Sequence, residues 1–249
     1  METGNNVLIA GFIITGTADK RIAVRGLGPS LTGFGISDAL ADPTLDLRAS
    51  DGSLIMRNND WQEGAVESQL PALGLAPTNP KESGLVATLP PAAYTAIVAG
   101  TNQGTGVGVV EVYDTNGAAA SQLANISTRG FVQTGNNVMI GGFILGGNSN
   151  STQIVLRGIG PSLAQFGLNP VLADPMLELH DSNGAAVISN DDWQSDPVSA
   201  AQLSAAGFAP TDPKESGIYT SLPPGAFTAI LAGNNGGIGL ALVEIYNLR

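Results

Sequence analysis

The sequence predicts an all-β protein built as two tandem β-sandwich repeats, jelly-roll or Greek-key-like, with short helical caps. Three observations carry this expectation. The chain restates itself just past its midpoint. Its apolar residues fall in short, β-branched runs broken by turn residues. Its 249 residues include 33 glycines and 15 prolines, which favours many turns over long helices.

The repeat is the strongest of the three, since self-similarity at a fixed period defines architecture. GNNVLIAGFI (4–13) returns as GNNVMIGGFI (135–144), and RIAVRGLGPSL (21–31) as QIVLRGIGPSL (153–163). ALADPTLDL (39–47) returns as VLADPMLEL (171–179), and NNDWQ (58–62) as NDDWQ (190–194). APTNPKESG (76–84) matches APTDPKESG (209–217), TLPPAAYTAIVAG (88–100) matches SLPPGAFTAILAG (221–233), and VVEVYD (109–114) matches LVEIYN (242–247). The offset stays between 131 and 133, so one repeat is assigned to residues 1–120 and the second to 121–249.

In the first copy the runs predict strands near 6–14, 21–27, 44–49, 53–58, 84–89, 93–100 and 106–114. Asp51-Gly52 and Asn183-Gly184 sit between two such runs, the signal for a tight hairpin. Gly28-Pro29-Ser30 predicts a helical turn opened by proline, and 63–73 a short helix with Val66, Leu70 and Leu73 on one face. LPPAAY and LPPGAF resemble the tyrosine-corner turn of Greek-key sandwiches; Tyr94 retains the hydroxyl, and Phe227 does not.

One segment has no counterpart. LANISTRGFVQT (123–134) alternates like a strand and precedes the second repeat, whereas only Met1, Glu2 and Thr3 precede Gly4. Residues 123–132 are therefore a linking strand, with Leu123, Ile126, Thr128, Phe131 and Val132 as candidate assembly residues. If each sandwich needs such a strand, one copy keeps an unpaired edge, and unpaired edges accept strands from other chains. Alternatively, the strand bridges both sheets within one body.

Composition excludes several functions. A net charge of -11 without any Lys/Arg run repels phosphate backbones and anionic membranes, so nucleic acid is not expected as a partner. No stretch approaches the roughly 20 apolar residues of a membrane span, and METGNNVLIAGF lacks the basic start of a signal peptide. Without cysteine there are neither disulfides nor thiolate metal sites.

Taken together, R-G-[LI]-G-P-S-L, L-A-D-P-x-L-x-L, N-[ND]-D-W, [ND]-P-K-E-S, L-P-P-x-A-[YF]-T-A-I and V-E-[VI]-Y resemble repeat units, without an established chemistry, at the ends of large secreted or surface bacterial proteins. More distantly they are similar to jelly-roll domains of the prepeptidase C-terminal type. The resemblance covers nearly the whole chain twice. It implies a secreted or cell-surface accessory module that is not an enzyme, and it brings no catalytic residues.

The residues themselves offer four chemistries. Ser30 and Ser162 stand in G-x-G-P-S strings, but the only histidine, His180, aligns with Arg48, so no nucleophile-base set is duplicated. Asp42, Asp60, Glu82 and Glu111 recur as Asp174, Asp192, Glu215 and Glu244, which allows paired-carboxylate chemistry. Glu111 falls in phase with Val107, Val109 and Tyr113, and a carboxylate on an apolar face needs a cation. The sequence therefore predicts structural ion pairs of Glu111 with Arg25 or Lys81, and of Glu244 with Arg157 or Lys214. Calcium is the one candidate cofactor, at Asp51, Asn59 and Asp60, or at Asp181, Asp191 and Asp192; alternatively Asp60 or Glu63 caps the following helix. Trp61 and Trp193 are candidate glycan contacts, or else cover the end of a core. The function expected is structural or adhesive, with self-assembly by strand exchange into a dimer or filament. Binding of cell-surface glycans is the alternative.

Overall fold

The structure, a computed structural model, describes every residue except 65, 136, 147–150 and 249, and Asn5 through its backbone alone. The chain forms two compact units, Met1–Ile126 and Ser127–Arg249, so the division falls inside the linking strand and not at 120/121.

Unit 1 contains β1 (Leu8–Gly16), β2 (Lys20–Leu27), β3 (Pro43–Ala49), β4 (Leu54–Asn58), β5 (Ser83–Leu89), β6 (Ala93–Gly100) and β7 (Val109–Asp114). The long strand β8 (Ser121–Val132) follows and crosses the division. One sheet of unit 1 runs β4-β3-β6-β1 with β8 beside β1; the other is β5-β2-β7. Neighbours are mostly not consecutive in sequence, as in a Greek-key sandwich. The two sheets close on one core, in which Phe12 and Ile14 of β1, Leu45 and Leu47 of β3, and Tyr94 and Val98 of β6 meet Ile22 and Val24 of β2 and Leu85 of β5. Alternation in β1 is what supplies this face: Ala10, Phe12 and Ile14 are buried while the residues between them are not.

Unit 2 repeats the plan with β9 (Met139–Leu145), β10 (Thr152–Ile159), β11 (Pro175–His180), β12 (Ala186–Asn190), β13 (Ser216–Leu222), β14 (Gly225–Gly233) and β15 (Gly239–Asn247). Its sheets are β12-β11-β14-β9 and β13-β10-β15, the latter with β8 beside β15. Gly158 of β10 approaches Leu231 and Leu177 of the facing sheet so closely that an added Cβ would lie 2.6 Å from Leu231 Cδ1.

The helical caps are short. The G-x-G-P-S strings open 3-10 segments at Pro29–Phe34 and Pro161–Phe166, and α1 (Val66–Ala72) and α2 (Pro197–Ala205) follow the tryptophans. Residue 65 of the expected helix lies outside the described residues. The cap of α2 is Asp196, which accepts from the Val198 and Ser199 amides, and not Asp192, the counterpart of Asp60. The tyrosine corner is present in unit 1, where the Tyr94 hydroxyl donates to the Pro90 carbonyl at 2.8 Å.

Two strands are displaced from expectation: β1 runs 8–16 and not 6–14, and β7 starts at 109 and not 106. Gly106 adopts φ 154° against Leu40, but its counterpart Gly239 has φ 155° against Leu172 and still opens β15, so this conformation does not itself end a strand. β15 has β8 beside it, and β7 ends its sheet. β7 begins at Val109, after an isolated parallel bridge between Ala39 and Val107.

Candidate functional site

The polar residues that recur in both units fall into three groups, each placed by strand register. In the first, Arg25 of β2 lies directly opposite Glu111 of β7, and Arg157 of β10 opposite Glu244 of β15. Arg25 Nε donates to Glu111 Oε2 at 2.7 Å, Nη1 to the Leu75 carbonyl and Nη2 to the Tyr113 hydroxyl. Arg157 Nε donates to Glu244 Oε2 at 2.7 Å and Nη1 to the Phe208 carbonyl, and the guanidinium lies over the rings of Tyr246 and Phe208. Lys81 and Lys214 do not reach these glutamates; they face Asp42 at 3.7 Å and Asp174 at 2.9 Å. Cross-strand pairing explains the choice, since each arginine is in register with its glutamate on the adjacent strand, whereas Lys81 and Lys214 lie in turns.

Tyr246 completes the unit 2 network by donating to Glu244 Oε1 at 2.9 Å. Burial, reinforced by the Glu244 carboxylate, pushes its phenol pKa up to about 12. The folded value exceeds the unfolded one, so the neutral phenol's contribution is complete below about pH 10 and is lost as pH rises toward 12. In a spectrophotometric titration one tyrosine is expected to ionise last, and Tyr246→Phe to remove that step.

The second group surrounds Glu82 and Glu215, both completely buried. Glu82 Oε1 accepts from the Gly28 and Ser30 amides, at 3.2 and 3.0 Å, and from the Ser30 hydroxyl at 2.5 Å. Glu215 repeats this with Gly160 and Ser162. A carboxylate thus closes each G-x-G-P-S turn, and Gly28 is required there because a Cβ would lie 2.1 Å from the Leu40 carbonyl. His180 lies on β11, its ring nitrogens near the Gly184 carbonyl and Glu178, in a different part of unit 2 from Ser162.

The third group comprises the acidic loops named for calcium. Asp51 Oδ1 accepts from its own turn at Ser53, and Asp181 Oδ1 from Asn183 and Ala185. Asn59 accepts from Thr101, and Asp191 from Asn234, while Asp60 and Asp192 offer main-chain carbonyls to Asn58 and Asn190. Desolvation, then Asp174, raises the pKa of Asp191. Among the described residues no group of three or more His, Cys, Asp or Glu is close enough to hold a metal. The hairpin turns hold Asp51 and Asp181 at loop tips, away from the strand ends that carry Asn59 and Asp191.

Trp61 is 9 % exposed, packs on Val66, Leu70 and Val86, and donates to the Asn79 carbonyl, so its ring offers no open face to a sugar. Trp193 is half-buried. Two aromatics that the sequence reading passes over are the exposed ones: Phe34 at 83 % and Phe166 at 73 %, each closing a 3-10 segment. The strings GPSLTGF and GPSLAQF, which share this phenylalanine, were the available signal.

The assembly residues all lie on β8. Leu123 packs against the core of unit 1, Phe131 against Ile159, Leu163 and Leu240 of unit 2, and Val132 is fully buried; Ile126 and Thr128 are half-buried. The strand named for exchange is therefore seated within its own chain, and the open positions are elsewhere. β7 ends its sheet in unit 1, where β15 has β8 beside it; β9 ends its sheet in unit 2, where β1 has β8 beside it. On β9, Ile140 and Ile144 are 56 % and 78 % exposed, whereas their counterparts Ile9 and Ile13 are half-buried.

The fold and these groups define a two-unit β-sandwich protein whose recurrent polar residues hold turns and strands together. No protein-family model matches the chain, and no curated protein does, so the resemblances to secreted repeat units and prepeptidase C-terminal domains stand as expectations. Among solved structures it is similar to PNGF-II (11 % identity, 99 % of this chain, 60 % of that chain, TM-score 0.24). It is also similar to a protein of Sulfolobus turreted icosahedral virus (12 %, 99 % and 84 %, TM-score 0.27). A third similarity is to VP2 of infectious bursal disease virus (9 %, 99 % and 69 %, TM-score 0.22). The chain spans 60 % of the length of PNGF-II, and likenesses this distant say nothing of function. No described helix is long and apolar enough to cross a membrane.

Proposed function

We propose that the chain is a non-catalytic structural and adhesive module, secreted or displayed at a cell surface, that assembles with its neighbours by strand addition. One observation carries this reading: a single linking strand flanks one edge in each unit, while among the described residues the equivalent edges of β7 and β9 have no neighbour in their sheets. Open edges present unpaired N–H and C=O groups to another chain. The exposed Ile140 and Ile144 make the β9 edge apolar as well. A non-catalytic role accords with the Ser30 and Ser162 hydroxyls, which are committed to buried carboxylates.

Sedimentation velocity over a wide concentration range tests the proposal. Oligomers are expected to grow with concentration, and Ile140→Lys/Ile144→Lys, at exposed positions that leave the core intact, to return the protein to monomers. A protein that stays monomeric throughout would overturn self-assembly. Glycan binding is separated by a glycan array with Trp193→Ala: loss of a sugar signal in that variant would favour the alternative.

A further inference from the structure

His180, the only histidine of the chain, stands where unit 1 has Arg48, and it makes the same two contacts. In unit 1, Arg48 Nη1 donates to the Gly52 carbonyl at 2.9 Å and Nη2 to Asp46 Oδ2 at 2.7 Å, which ties β3 to the tip of its hairpin. In unit 2, His180 Nδ1 lies 3.0 Å from the Gly184 carbonyl and Nε2 lies 3.1 Å from Glu178 Oε2. Gly184 is the counterpart of Gly52, and Glu178 of Asp46.

The two side chains differ in how they supply the donors. A guanidinium carries N–H groups on every side, whereas a neutral imidazole has one N–H and one lone pair. Both partners of His180 are acceptors, a carbonyl oxygen and a carboxylate. A neutral ring would turn its lone pair toward one of them, so only the imidazolium satisfies this arrangement.

Unit 2 also has less support for the clamp. Asp46 is held a second time in unit 1, where Arg57 donates to it through Nε and Nη2. Ser189 fills that position in unit 2, so among the described residues the His180 ring is the one cation on Glu178. The flanking strands β12 and β14 carry no charged residue. The other charge beside the ring is Asp181, whose Oδ1 is taken by the Asn183 and Ala185 amides of the turn. The Gly184 carbonyl, and then the Glu178 carboxylate, raise the His180 pKa above its ordinary value.

We propose that the β11–β12 hairpin of unit 2 is a pH-sensitive element, in which the His180 imidazolium clamps the Gly184 turn to Glu178 and loss of its proton releases the turn. The Arg48 hairpin of unit 1 is the same clamp without the sensor. Because the folded pKa of the ring is raised, the clamp is complete below about pH 6.5 and is lost as pH rises through the folded value.

The test is an NMR pH titration of the full chain, in which a single histidine gives unambiguous ring signals. The ring is expected to titrate above about pH 6.5, the ordinary midpoint. The Asp181 and Gly184 amides close the turn on the Ala185 and Asp181 carbonyls. Their hydrogen-exchange protection factors are expected to fall by about threefold or more across the ring's step, while those of Ala49 and Gly52 in unit 1 stay level. Glu178→Gln is expected to lower the ring midpoint, and His180→Arg to keep the turn protected throughout. A ring that titrates at or below the ordinary midpoint, a midpoint unmoved by Glu178→Gln, or turn protection that does not follow the ring's charge overturns the proposal. The same loss of protection in His180→Arg overturns it too, since the opening would then belong to the hairpin and not to the histidine.

Discussion

Replacing Asp114 with alanine is expected to destabilise unit 1 by about 3 kcal/mol, because it strands a buried ammonium group. Lys20 is completely buried, and its Nζ donates to Asp114 Oδ2 at 2.9 Å and to the Asn116 carbonyl at 2.8 Å. Without Asp114 the charge would keep one neutral acceptor. The lower end of the range for broken buried pairs applies, since the Asp114 side chain is 30 % exposed and some water can reach the gap. Unit 2 supplies the control. Its residues at these positions are Thr152 and Asn247, a neutral combination in the same framework. The double variant Lys20→Thr/Asp114→Asn is therefore expected to recover most of the loss. Each unit has one tryptophan, so Trp61 fluorescence in a Trp193→Phe background follows unit 1 alone during urea unfolding. Equal losses in the single and double variants would refute the coupling.

This pair shows where reading the sequence stops. Lys20 aligns with threonine, and comparison of the copies passes over it because the comparison looks for residues that recur. Arg25 and Glu111 do recur, and alternation along VGVVEVYD puts the glutamate on an apolar face; only the strand register decides for Arg25 over Lys81. Strands were legible because β-branched runs end at turn residues, and β3 and β6 match their expected positions to within a residue. The start of β7 was not: its counterpart β15 opens three residues earlier in register, at Gly239, with β8 beside it, and pairing with a distant strand is not encoded in a local pattern. The linking strand was visible as an unmatched segment. Which edges it leaves open depends on β8 flanking β1 in one unit and β15 in the other, and pairing between distant segments is not written in local sequence.

Glu82 carries the second large effect, and it turns on how many segments one carboxylate ties together. Its Oε1 takes three donors from the turn that opens at Gly28, its Oε2 takes the Asn79 amide at 3.4 Å, and its carbonyl accepts from the Trp61 amide at 2.8 Å. Glu82→Ala leaves three buried or half-buried amides, those of Gly28, Ser30 and Asn79, and the Ser30 hydroxyl without this acceptor. Unsatisfied groups of this kind cost about 1 to 3 kcal/mol each before relaxation, so a loss of about 3 kcal/mol or more is expected in unit 1. Ser30→Ala removes one donor and leaves the three amides paired, so its loss is expected near ~1 kcal/mol. Glu215→Ala should reproduce the large effect in unit 2, reported by Trp193 with unit 1 unaffected. Gln is a poor substitute at either position, because its amide nitrogen would face either the Asn79 amide or the donors of the turn. If the serines served catalysis instead, alanine at Ser30 and at Glu82 would share an activity phenotype without this graded order of stabilities. Matching losses from Ser30→Ala and Glu82→Ala would place the energy in the hydroxyl contact alone and refute the turn-closing role.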